Sequence, residues 1–278
     1  MLLALTRSVP ASISRCELTH LEREPIDYAR AVAQHAQYEA ALTDLGCRVE
    51  RLPEAPDLPD SVFVEDAAVV FDDLAVLMRS GAVSRRPEVG AMTAALAPHR
   101  PLAFIEAPGT MDGGDVLVTP GRVFVGISGR TNEEAVRQLR ALMAPHGFEV
   151  LGVPVTGCLH LKSAVTLVSV PPGGGGSENE AKAVLVINRR WIDAGLFGGF
   201  ELIDVDPSEP AAANVLRVGD SVICADAHPR TRERLSVRGF VTQSVPAGEL
   251  AKAEGGVTCC SVLLRVTRRP RLTLTANG

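Results

Sequence analysis

Five apolar hairpin patterns recur along this chain at nearly constant intervals, and such a period leaves few folds open. The hairpins begin at Ala67, Asp115, Ser163, Asn214 and Cys260, so the steps are 48, 48, 51 and 46 residues. Ahead of the first, residues 28–46 place apolar side chains at helical spacing and end on a glycine that can stop a helix. A short strand, CRVERL (47–52), follows, and then AAVVFDDLAVLM (67–78), where Asp72 and Asp73 break two apolar runs as a tight turn does. The same order returns as helix 86–99, strand 101–107 and hairpin 115–126. It returns again as helix 131–147, with a capping Thr131 and an acidic first turn, strand 148–155 and hairpin 163–188. A fourth pass runs NRRWIDAGLF, FELIDVD and hairpin 214–225, and a fifth PRTRERLSVRG, FVTQSV and CSVLLRVTRRPRLTLT.

Units of this kind cannot bury their apolar faces alone, whereas a closed ring of them leaves no free end. The N-terminal strand LLALTR stands ready to pair with the fifth unit and close the circle. The expectation is one catalytic domain over residues 1–278, of the α/β class: a five-bladed α/β propeller with pseudo-fivefold symmetry, and not two tandem domains. The glycine run at 173–176 falls inside the third hairpin and reads as a flexible surface tip spanning 171–180. A phosphate loop would need GK[ST] before a helix, which this run lacks. Residues 267–278 form a basic tail that either completes the last hairpin or hangs loose.

Composition narrows the function classes. A chain of 278 residues with 46% apolar content can bury a large core. Its net charge of −5 argues against a nucleic-acid partner, which calls for a clustered basic face. The start MLLALTRSV has neither a charged leader nor a cleavage site and reads as a first strand, and no stretch reaches the length of a membrane span. Six cysteines without a pairing pattern suggest reduced thiols and a cytoplasmic location.

Two of those cysteines are adjacent, in GGVTCCSVLL (255–264). On an extended segment they point to opposite faces, so one can lie in the core while the other faces a cavity. Neighbouring residues are too close for ordinary disulfide geometry. Taken alone, both read equally as small core hydrophobes. The repeat phase changes that balance. Just before successive hairpins stand Glu65 and Asp66, then Asp112 and Asp115, then His160, and finally Cys259, two repeats further on. Equivalent positions in a ring converge on its axis. A thiol, an imidazole and carboxylates in one cavity are the set that nucleophilic catalysis requires.

Several motifs keep one family's order: PDSVFVED (59–66), SRRPE (84–88), TMDGGDVLVT (110–119), SGRTN (128–132), CLHLKS (158–163) and GGVTCCSVLL. Together the chain resembles dimethylarginine dimethylaminohydrolase, of the guanidine-modifying pentein superfamily, from its first strand to about Leu264. The resemblance implies hydrolysis of Nω-methylated arginines to citrulline and a methylamine, with no cofactor and no metal, by a monomer or homodimer. It makes Cys259 the nucleophile, His160 the general acid and base, and Asp112 the carboxylate that completes the triad, with Cys260 turned to the core. Glu65 and Asp66 match acidic residues near the guanidinium. Asp60 matches a residue at the amino acid end of the substrate, Arg85 and Arg130 match cations at its carboxylate, and Leu18 and Val257 match positions lining that end.

Chemistry agrees with such a set. A guanidinium is a poor electrophile, and carboxylates that fix its plane both bind and orient it. Each residue also has a plainer reading: His160, between two leucines at a strand start, as a core histidine; Asp60 as a turn residue; Asp115 as a brace; Arg86 as a solvated partner of Arg85; Arg130 as a helix flank. Competing functions are another guanidine-consuming enzyme, such as an arginine deiminase or amidinotransferase, and a binding ring that has lost its chemistry.

Overall fold

The computed structural model describes residues 1–170 and 182–266. The expected glycine-rich tip at 171–180 and the tail at 267–278 lie outside the described residues.

Five three-stranded sheets carry the chain. They hold β1 (Leu2–Thr6), β2 (Cys47–Arg51), β3 (Ala68–Val70), β4 (Ala75–Leu77), β5 (Leu102–Phe104), β6 (Val116–Thr119), β7 (Arg122–Ile127) and β8 (Glu149–Pro154). The remainder are β9 (Val165–Ser169), β10 (Val184–Ile187), β11 (Glu201–Asp204), β12 (Leu216–Val218), β13 (Ser221–Ala225), β14 (Val241–Val245) and β15 (Val262–Arg265). In each of β3-β4-β5, β6-β7-β8, β9-β10-β11 and β12-β13-β14 an antiparallel hairpin is followed by a parallel outer strand. A parallel pair needs a crossover, and helices supply most of them: α1 (Tyr28–Asp44), α2 (Val89–Leu96), α3 (Glu133–Met143) and α5 (Pro229–Val237), while short α4 (Leu161–Ala164) and α6 (Gly248–Ala251) lie elsewhere.

The fifth sheet is β15-β1-β2, and it closes the ring. Strand β15 runs antiparallel to β1, from Leu2 opposite Arg265 to Leu5 opposite Val262, so the N-terminal strand takes the second place of the last hairpin. All five inner strands, β3, β6, β9, β12 and β15, line one axial channel of about 270 Å³.

The fourth crossover departs from the expectation. NRRWIDAGLF forms only a 3₁₀ turn, Ala194–Phe197, capped by the Asp193 side chain on the Gly195 amide. Gly195, Gly198 and Gly199 disfavour helix here. Phe197 and Ile192 instead fill the apolar space against Phe124, whose ring centroid lies 4.9 Å from that of Phe197.

Candidate active site

Each chemically capable side chain stands at the entrance to an inner strand. Glu65 and Asp66 lie in the 3₁₀ turn Val64–Ala67 ahead of β3, and Asp112 precedes the turn Gly113–Asp115 ahead of β6. His160 is the extended residue before α4 (φ −135°, ψ 160°), not part of a strand as expected, because α4 intervenes before β9. The Cys259–Cys260 pair also differs from the expected extended segment: it sits in a turn leading to β15. The turn still separates the sulfurs. Cys259 faces a small cleft, while Cys260 packs in the core that contains Tyr38 and donates to the Gly256 carbonyl at 3.6 Å.

That cleft brings together Cys259, His160, Asp66, Asp60, Arg85 and Arg130. His160 Nε2 lies 3.3 Å from Asp112 Oδ2, and its Nδ1 lies 3.9 Å from Asp66 Oδ1. Burial alone would push His160 down, but Asp66, Asp112 and Asp115 outweigh it and hold the imidazole up at about 9. Asp112, wholly buried, is held well below the usual carboxylate range: burial opposes ionisation, and His160 and Arg85 overcome it. Burial pushes the Cys259 thiol up to about 12, with Glu65 and Asp66 adding to the shift. At neutral pH the site therefore rests as thiol, imidazolium and carboxylate. Gly114 allows the ring its place, because a Cβ there would stand 2.6 Å from His160 Nδ1.

Other expected residues take less exposed roles. Glu65 stands behind the cleft at the inner end of the axial channel, where Lys162 Nζ and Thr258 Oγ1 bind its two oxygens at 2.6 and 2.7 Å. The Arg85 guanidinium is buried against Asp66 at 2.6 Å and Glu88 at 2.9 Å, with the carbonyls of Asp60 and Phe63 also accepting from it. Arg85 thus braces the acids and also lines the cleft. Arg130 is freer: Nη2 donates to Thr19 Oγ1 at 3.1 Å, while buried Nη1 has no hydrogen-bond partner among the described residues and lies 3.5 Å from Asp112. Asp60 accepts from the Glu17 amide through both oxygens, at 3.2 and 3.1 Å, and burial raises its pKa.

The Val257 side chain is buried in the core with Tyr38 and Leu250, and its neighbours Ala253, Glu254 and Gly255 line the cleft. Leu18 packs, partly buried, on the same core. Asp115 is the brace that its plainer reading suggested, accepting from Ser128, Thr131 and the Leu161 amide.

Asp66, Asp112 and His160 bring donor atoms within 4.8 Å of one another, the spacing of a metal site. Arg85 and Arg130 beside the two acids, with His160 protonated, set cationic charge against any ion there.

No protein-family model matches the chain. A curated dimethylarginine dimethylaminohydrolase of Streptomyces coelicolor is 39% identical over 263 residues, covering 94% of this chain and 96% of that protein. The chain belongs to the dimethylarginine dimethylaminohydrolase family. Solved dimethylarginine dimethylaminohydrolases share its fold. One from Pseudomonas aeruginosa, a cysteine-to-serine mutant complexed with citrulline, superposes with a TM-score of 0.85 at 31% identity, covering 94% of this chain and 98% of that one. A histidine-to-glycine variant bearing an adduct with S-methyl-L-thiocitrulline gives 0.84 at 31% identity over 95% of this chain and all of the other.

Against that dimethylarginine dimethylaminohydrolase fold, two residues at or beside the cleft escaped the motif reading. Glu254, at φ 57°, gathers the consecutive amides of Thr19, His20 and Leu21 at 2.9, 2.5 and 2.6 Å, and so straps the loop that carries Glu17. Asn214 stands at the hairpin start of the fourth unit, a phase the repeat already marked. Its amide accepts from the Thr258 amide and donates to the Lys162 carbonyl and to Thr258 Oγ1.

Proposed function

We propose that this chain, acting as one catalytic domain, hydrolyses Nω-methylated L-arginine to L-citrulline and dimethylamine or methylamine, with Cys259 as nucleophile. The observation that carries this reading is that Cys259, His160 and Asp66, from three different blades, line one cleft with Arg130 and Asp60.

The substrate supplies what the resting site lacks. A guanidinium laid beside Cys259 opposes the burial and the acids that keep the thiol protonated, so the thiol gives its proton to solvent and the thiolate forms only with its target in place. Sulfur attacks the guanidinium carbon. Imidazolium His160, fixed by Asp112, gives its proton to the departing amine, and the carbon–nitrogen bond breaks to leave a covalent thiouronium. Neutral His160 then takes a proton from water; the hydroxide adds to carbon, the carbon–sulfur bond breaks, and the hydroxyl proton passes to the departing sulfur, leaving citrulline, thiol and imidazolium. Asp66 fixes the guanidinium plane from its anchorage on Arg85 and the Gly114 amide. Across the cleft, Arg130 Nη1 suits the α-carboxylate and Asp60 the α-ammonium.

Two further readings belong to this proposal. The chain works in the cytoplasm, on the ground of its six free and buried cysteines, and among the described residues no helix is long and apolar enough to cross a membrane. It works as a monomer or homodimer. The test is citrulline release from asymmetric dimethylarginine, run beside monomethylarginine, arginine and agmatine. Cys259→Ser should abolish release and Cys260→Ser should leave most of it; turnover surviving in the first variant would overturn the nucleophile, and preference for unmethylated arginine would favour a deiminase.

A further inference from the structure

A second cavity lies apart from the cleft. About 290 Å³ in volume, it opens on the outer surface between α1 and the two loops 8–11 and 54–56. Val9, Pro10, Ala11, Val32, Ala55 and Pro56 make most of its wall apolar. His35 lies at its base, 3% exposed, and Nε2 of that imidazole is buried without a hydrogen-bond partner among the described residues. A buried polar atom left unpaired is costly, and a fitting ligand recovers that cost. Nδ1 of the same ring faces Glu39 at 3.9 Å. The carboxylate favours the proton on Nδ1, so Nε2 presents a lone pair and asks for a donor.

The mouth carries both signs of charge. Arg51, joined to Glu39 through Nε and Nη2, and Glu54 line the opening and are exposed. A ligand that suits all of this has a zwitterionic head at the rim, a short aliphatic stem along the apolar wall and an N–H donor at its tip. We propose that this cavity is a second binding site, for a free α-amino acid whose side chain ends in an amide or ureido group.

The site lies where it can influence the cleft. Pro10 O accepts from the Ile13 amide at 3.1 Å and so starts the turn Ile13–Arg15 that leads to Glu17. Ala55 O accepts from the Leu58 amide at 3.0 Å and from Ser61 Oγ at 3.4 Å, which fixes the turn that presents Asp60. The two loops that part around the cavity meet again where the Glu17 amide donates to Asp60. An occupant therefore shifts the amino acid end of the cleft and leaves Cys259 and His160 in place. The coupling to turnover rests on the activity proposed above; the binding itself does not.

The test is NMR of the protein with its six histidines labelled at Cε1, the His35 signal being assigned by its loss in His35→Gln. L-Glutamine is the probe, because it has the head, stem and tip, and propionamide is its control. Glutamine should move the His35 signal and not that of His160, saturating in the millimolar range, with propionamide about tenfold weaker or worse. Ala36→Phe, which plugs the mouth from an exposed position, should remove the shift, and Glu54→Gln should weaken it. Saturating glutamine should change KM for dimethylarginine by up to about fivefold with kcat unaltered. A His35 signal unmoved at about 50 mM glutamine, or moved equally by propionamide, would overturn the site. Binding without any change in KM would overturn only its link to the cleft, and an inactive protein that still binds glutamine would count against the activity alone.

Discussion

The entrance to the inner strand is the same place in every blade, yet blade four uses it differently from blades two, three and five. There Asp112, His160 and Cys259 turn reactive groups into or against the cleft. In blade four the place belongs to Asn214, whose amide cannot exchange protons near neutral pH and instead ties the Thr258 segment to the Lys162 carbonyl. A pseudosymmetric ring offers five equivalent slots. Chemistry fills some of them, and another is left to hold its neighbours still. The comparison makes a graded claim: loss in a reacting slot should cost orders of magnitude, and loss in the holding slot should cost little more than one.

The largest effect after removal of the thiol should come from His160→Ala. Removing the group that protonates the leaving amine should lower kcat by about 10²–10⁴. A drop below tenfold would show that another acid does this work. Asp112→Asn is expected to cost less and to leave a distinct trace. In the proposed reaction the imidazolium is the active form for amine expulsion and is held at about 9, and bound substrate has already formed the thiolate, so kcat in the parent should fall as pH rises through about 9. Losing the Asp112 carboxylate removes a raising influence, so the falling limb should move to lower pH. A limb that stays in place would mean that Asp112 only packs against the ring.

How much of this was legible beforehand depends on range. The ring was, because hairpin spacing is a local property repeated: inner strands begin at Ala68, Val116, Val165, Leu216 and Val262, each within three residues of the hairpin starts read from the sequence. Convergence of Cys259, His160 and Asp112 followed from the same period. The fourth helix failed because three glycines weigh more than a few helical spacings. The roles of Arg85 and Glu65 were hidden for another reason. Whether a charged side chain points to a ligand or to a protein partner is decided by what stands opposite, and Glu88 and Lys162 gave no sign of that in a linear reading. The burial of the Val257 side chain was equally hidden, since a turn near a reactive cysteine does not reveal which of its side chains enter the core.

The smallest effect is the one that most sharpens the contrast between slots. Asn214→Ala removes the acceptor for the Thr258 amide and both donors, and the amide it leaves behind is next to the nucleophile. An unsatisfied group of this kind costs about 1–3 kcal/mol, of which the part felt by the transition state should appear as roughly a tenfold fall in kcat. KM should change little, because Asp60 and Arg130, proposed to hold the amino acid end, stand on other blades. A purely structural role would lower Tm and leave the remaining folded enzyme at full rate. A positioning role predicts slower alkylation of Cys259 by a cationic reagent that mimics the guanidinium, with partial rescue in Asn214→Asp, which keeps the acceptor for Thr258. Were Asn214→Ala as damaging as His160→Ala, the fourth slot would belong with the reacting ones, and the division between them would have to be withdrawn.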